Sequence, residues 1–212
     1  MQIIPAILEP KFEEAEKKIK LIKDLTRWVQ IDVVDGVLTP GKTFELEQLT
    51  KLGFSSDNIL WDIHLMVKEP VKWIKKCDFV GASRIIGQVE MMTDREEFVS
   101  TVKNMGMEAG LAFNINTVID CNIPDDTDTV LLMGRPFGFG DYELDKNIAQ
   151  RIQSLKQVRT DLDLDFSIGL DGGVTEKNIP MFSRLGVSIA YSTGAIYRGD
   201  VKENWEKLNS ML

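Results

Sequence analysis

At 212 residues, 43% of them hydrophobic and 27% charged, the chain has enough material for one sizeable core and reads as a single globular domain over residues 1–212. Lys and Arg number 25 against 33 Asp and Glu, and a formal charge of −8 excludes a broad nucleic-acid surface, which needs clustered cations. No apolar run reaches the roughly 18 residues that span a bilayer, Met1-Gln2-Ile3-Ile4-Pro5 lacks a basic leader, and Cys77 and Cys121 stand without paired spacing, so a cytoplasmic protein with no membrane partner is expected.

Apolar, β-rich runs recur along the chain, each followed by a stretch of helical period. Strands are predicted at 2–8, 28–33, 59–67, 84–89, 108–114, 129–133, 165–170 and 187–192. Helical stretches are predicted at 12–25, 95–105, 147–158 and 175–185. The fullest basic cluster, Lys17-Lys18-Ile19-Lys20, falls in the first of these and reads as a solvated face. Eight alternations without a long linker predict a parallel sheet closed into a (β/α)₈ TIM barrel, with an open doubly wound sheet as the alternative.

In such barrels the chemistry sits at the C-terminal strand ends. Side chains alternate faces along a strand, so Gln30 and Asp32 share one face of the second strand, and Asp62, His64 and Met66 share one face of the third. The fourth strand ends with Gln88 and Glu90 in the same parity, and the seventh runs into Asp171-Gly172-Gly173. Any one of these carboxylates is as readily a helix cap or half of a local salt bridge. Four strands ending in polar residues of consistent parity point instead to a shared site, because a buried charge needs a partner. His64 is the lone histidine of the chain, and a lone histidine is more often structural. Glycines after strands seven and eight, Gly172-Gly173 and Thr193-Gly194, suit a phosphate held by backbone N–H groups. Gly138-Phe139-Gly140 after strand six reads as a loop that closes over a ligand.

Several of these stretches together resemble the ribulose-phosphate 3-epimerase family: Ile3-Ile4-Pro5-Ala6-Ile7-Leu8, Ile31-Asp32-Val33-Val34-Asp35-Gly36, Asp62-Ile63-His64-Leu65-Met66-Val67, Gly138-Phe139-Gly140 and Leu170-Asp171-Gly172-Gly173-Val174. They lie in the family's order, so the resemblance covers nearly the whole chain and implies the barrel independently. It also implies a divalent metal (Zn, Mn, Fe or Mg) held by Asp32, His64 and Asp171, with Asp32 and Asp171 shuttling a proton. By the same resemblance His64, Met66 and Met133 line the substrate pocket. Gly138, Phe139 and Gly140 would cover the substrate, with Asp141 next to them where the family has a glycine. Gly172 and Gly173 would hold its phosphate, with Thr193-Gly194 after strand eight where the family has Gly-Ser.

The departures from the family are Gln30 and Gln88 where it carries histidines, Ala6 for a serine, Val34 for a pocket methionine, and Arg135-Pro136-Phe137 and Asp141 around the lid. The Gln30 amide oxygen is a weaker ligand than imidazole, which moves the metal preference toward Mg²⁺ or Mn²⁺. The function expected is 3-epimerisation of a ketose phosphate, by default D-ribulose 5-phosphate to D-xylulose 5-phosphate. The alternatives are a hexulose 6-phosphate epimerase, a related barrel lyase (which would want a lysine where His64 stands), and a non-catalytic phosphosugar-binding barrel. Assembly into a homo-oligomer is left open.

Overall fold

The computed structural model describes every residue of the chain except Ser56 and Asp141. Eight strands run in parallel among the described residues: β1 Gln2–Ile7, β2 Trp28–Val34, β3 Leu60–Met66, β4 Ala82–Gln88, β5 Glu108–Phe113, β6 Thr129–Met133, β7 Ser167–Asp171 and β8 Ile189–Ser192. Each pairs with its sequence neighbours and β1 closes on β8, so the expected barrel is the one that forms.

Outward side chains meet a helical layer. In α1, Phe12–Ile22, the residues Phe12, Ala15, Ile19 and Ile22 recur at helical spacing and are buried against the sheet, while its lysines and glutamates face solvent. A 3₁₀ segment, Leu46–Leu52, links β2 to β3, and α2, Ile74–Phe79, follows a 3₁₀ turn after β3. The helix α3, Arg95–Asn104, starts where the Asp94 side chain accepts from the Glu97 N–H at 2.9 Å. The layer continues with α4 Ile148–Asp161, α5 Ile179–Leu185, the short α6 Gly194–Tyr197 and α7 Val201–Asn209.

The fifth helix begins four residues later than its periodicity predicts. The Asn178 side chain accepts from the Thr175 N–H at 2.8 Å and donates to the Gly173 carbonyl at 2.6 Å, which holds 175–178 as a turn. Between β5 and β6 the described residues form turns and no helix. None of the described helices is long and apolar enough to cross a membrane.

Two apolar clusters result. The larger fills the space between barrel and helices and includes Phe98, Ile152 and Phe182. The smaller, with Ile4, Ile86, Leu131 and Tyr191, fills the barrel interior. The inward parity read from the sequence is therefore the one that faces this small core, and Gln30, Asp32, Asp62, His64, Gln88 and Asp171 are all buried.

Candidate active site

The register of the barrel brings the polar strand ends together. Asp32 of β2 lies beside His64 of β3, and Met133 of β6 lies beside Asp171 of β7. Across the interior, His64 Nδ1 lies 3.0 Å from Asp32 Oδ1 and 3.4 Å from Asp171 Oδ2. The Gln30 amide sits under the same pair and donates from Nε2 to Asp32 Oδ1 at 3.3 Å and to Asp171 Oδ2 at 3.4 Å. Four side chains from three strands thus meet at one point.

Gln88 places a proton on one nitrogen of the histidine. Its amide is satisfied only with the oxygen toward His64, accepting from Nε2 at 3.1 Å while its nitrogen donates to Glu90 Oε2 at 2.7 Å and to the Ala112 carbonyl at 3.1 Å. A proton on Nε2 leaves Nδ1 to face the two carboxylates, as lone pair or as second N–H. Burial works against an imidazolium here, but hydrogen bonds to Asp171 and Asp32 outweigh it and push the ring up to about 10. Asp32 is raised too: burial first, and then the negative charge of Asp171, lift it from the usual carboxylate range to about 6.

Asp32, His64 and Asp171 are also the described residues that could hold a metal ion, with one ligand atom from each lying within 4.8 Å of the others. The donor set suits the task. Gln88 holds the outer nitrogen of His64, the usual arrangement for an imidazole that ligates through the other one. Gln30, expected as a fourth ligand through its oxygen, instead turns its NH₂ to the carboxylates. Its buried Oε1 has no hydrogen-bond partner among the described residues. The amide must turn over to present that oxygen to a cation.

Two cavities open above this cluster. One of about 200 Å³ is lined by Asp32, Met66, Met133, Gly138, Phe139 and Gly140. The loop carrying the last three packs on the loop after β2: a Cβ at Gly138, whose φ is +87°, would lie 2.6 Å from Thr39 Oγ1, and one at Gly41 would lie 2.8 Å from the Phe139 ring. The other, about 550 Å³, is lined by Gly172, Gly173, Thr193 and Gly194, so the two glycine turns expected to act together do share one space. Asp171 and Thr193 line both cavities. His64 is fully enclosed and lines neither, so its contacts are with Asp32, Asp171 and Gln88. Asp141, expected in the lid, lies outside the described residues.

Sequence reasoning passed over one residue that the cavities bring forward. Arg135 lines both, and its charge helps hold Asp32 down against burial. It stands two residues beyond Met133, in the parity that had picked out the other strand ends, and that signal would have found it.

Residues 2–197 match the model of the Ribulose-phosphate 3 epimerase family. A ribulose-phosphate 3-epimerase of Bacillus subtilis is 27% identical over 201 residues, covering 93% of this chain and 92% of that protein. One from Treponema pallidum is 23% identical over 203 residues, covering 94% and 93%. Among solved structures, 3-hexulose-6-phosphate synthase from Salmonella typhimurium superposes with a TM-score of 0.67 at 16% identity, covering 100% of this chain and 98% of that one, a likeness of fold.

Proposed function

The chain belongs to the ribulose-phosphate 3 epimerase family, and from that premise we propose that it interconverts the C3 epimers of a ketose phosphate, by default D-ribulose 5-phosphate and D-xylulose 5-phosphate. One observation carries the reading. Two buried carboxylates from β2 and β7, Asp32 and Asp171, lie within 3.4 Å of a single imidazole nitrogen and open into a cavity between them and a glycine loop.

Epimerisation beside a ketone needs one group to take the C3 proton and another to return a proton on the opposite face. Two carboxyls that repel each other favour a state with one charged and one neutral, the division of labour this requires. In one direction Asp32 removes the proton and Asp171 returns one; the reverse reaction exchanges the roles. His64 and Gln30 hold both carboxylates in place by the hydrogen bonds already described. A divalent ion (Zn, Mn, Fe or Mg) held by Asp32, His64 and Asp171 would supply positive charge next to the enediolate oxygen. Met66, Met133 and Phe139 give the reacting end apolar walls that strengthen these electrostatic contacts.

The larger cavity takes the phosphate on this reading. Gly172, with φ +89°, and Gly173, with φ +73°, adopt left-handed backbone that only glycine accepts readily. Among the described residues their N–H groups, and that of Gly194, make no turn, loop or cap hydrogen bond to backbone. They remain for an anion. The reading treats residues 1–212 as one barrel domain acting in the cytoplasm, which the two free cysteines support.

The test is ribulose 5-phosphate in D₂O with metal-loaded protein, following deuterium at C3 by NMR. Incorporation at C3 alone, lost on chelation, is the expected result. No exchange with any pentulose or hexulose phosphate, despite tight binding, would hand the site to the non-catalytic alternative.

A further inference from the structure

We infer that Arg135 grips the phosphate of the bound sugar phosphate, adding a side-chain cation to a cup otherwise built of backbone. The inference rests on the phosphosugar reading above, and it concerns a residue outside the proton-transfer pair.

Position is the first argument. Arg135 follows β6 and lines the cavity of Asp32 and Met133 as well as the cavity of Gly172, Gly173 and Gly194. A sugar phosphate with its C3 at the carboxylates and its phosphate over the glycines must pass this side chain. The stem is already seated at the phosphate end: a Cβ on Gly172 would lie 2.5 Å from Arg135 Cγ and 3.1 Å from its Nε. Glycine at 172 therefore serves two ends, the left-handed turn and the close approach of this arginine.

Electrostatics is the second. Arg135 is half-buried, yet it makes no hydrogen bond or ion pair with any described residue. A half-buried guanidinium that bonds to no carboxylate among the described residues is free to offer its planar fork to two phosphate oxygens at once. The other cations around the cup differ. Arg198 approaches Gly194, its Nε 3.6 Å from an ideal Cβ there, but has a partner of its own. Lys177 is exposed at the rim. Glu176 and Asp171 line the same cavity, and the chain carries −8 overall, so a dianion gains no help from the bulk field and needs a cation at close range.

Arg135→Met keeps the stem over Gly172 and removes the charge; Arg135→Lys keeps the charge and loses the fork. Calorimetry with inorganic phosphate and steady-state kinetics with ribulose 5-phosphate should show Arg135→Met weakening phosphate binding and raising KM about 10- to 100-fold, the usual worth of a charged hydrogen bond. The loss should fall on KM rather than kcat, the salt dependence of phosphate binding should flatten, and Arg135→Lys should recover part of the affinity. Thermal unfolding of each variant checks that the barrel is intact. Phosphate affinity within twofold of wild type in a folded Arg135→Met protein overturns the inference. A fall in kcat at unchanged KM overturns it too, because Arg135 would then serve the reacting end. If phosphate binding depends on Arg135 while wild type turns over no ketose phosphate, the grip stands and the epimerase reading fails.

Discussion

Two clusters of buried charge share the barrel interior, and they are balanced in opposite ways. In the lower layer Asp62 of β3 accepts from Arg84 Nη1 at 2.9 Å and from the Tyr191 hydroxyl at 2.6 Å. Arg84 also pairs with Glu108 at 2.6 Å and stacks on Trp28 at 4.5 Å. Burial opposes its charge, but Asp62, Tyr191 and Glu108 together raise the guanidinium above its ordinary value. One register step along the same strands, Gln30 opposite Asp62 gives way to Asp32 opposite His64. There two carboxylates meet one imidazole and no arginine or lysine bonds to either among the described residues. One oxygen of Asp62 is met by a guanidinium and a hydroxyl, so the carboxylate is paired, although its Oδ1 has no partner among the described residues and burial still raises the carboxyl. A buried pair with negative charge in excess is a site that waits for a proton, a cation or a substrate.

The largest way to break this contrast is at the upper layer. Asp32→Asn and Asp171→Asn should each lower turnover by about 10²–10⁴-fold, since the amide keeps the shape and cannot carry the proton. Neither should lower the melting temperature, because each relieves repulsion. Activity within tenfold of wild type in either variant would remove that residue from the chemistry.

The lower layer should answer with stability instead. Arg84→Met strands Asp62 in the interior and should cost about 3–5 kcal/mol in urea unfolding, whereas the double change Arg84→Met with Asp62→Leu should recover most of it. If the single variant unfolds like wild type, the lower pair is not the balanced structural element described.

The pH dependence separates the layers further. Asp32 is raised from an ordinary carboxylate value to about 6, so the folded chain holds its proton more tightly than the unfolded chain. Its ionisation therefore costs stability as pH rises from about 4 to 6, reaching about 2–3 kcal/mol at pH 7 in metal-free protein. Asp32→Asn should match wild type near pH 4 and exceed it in stability at pH 7, measured in chelator. The same ionisation makes Asp32 a competent base, so turnover should drop about tenfold per unit on the acid side of its titration, which a bound cation would move to lower pH than in metal-free protein. Equal stability of the two proteins at both pH values would show that Asp32 is not raised.

The smallest effect expected sharpens the donor set. Gln30→His replaces an amide whose nitrogen faces the carboxylates with an imidazole able to ligate. It should tighten Zn²⁺ or Mn²⁺ binding about 10-fold by competition with a chromogenic chelator. An unchanged affinity would mean that residue 30 does not reach the ion.

The amino-acid sequence by itself determined the barrel and much of its site. Alternation of strands and helices set the eight-stranded closure, and the two-residue period of β2, β3 and β7 placed Gln30, Asp32, His64 and Asp171 on the inner face, because a pleated strand leaves no other choice once one face meets the core. Composition and period could not distinguish Asp62 from Asp32, two inward carboxylates on adjacent strands. Which one is neutralised depends on Arg84, Glu108 and Tyr191 arriving from three other strands, and pairing across a barrel is a matter of register and shear, not of local pattern. The orientation of the two glutamines was equally out of reach: Gln88 turns its oxygen to His64, and Gln30 its nitrogen to the carboxylates, because of what surrounds them in space. So was Arg135. Its parity was visible in the sequence, but only the folded chain shows its stem lying over Gly172 and its guanidinium making no hydrogen bond or ion pair among the described residues.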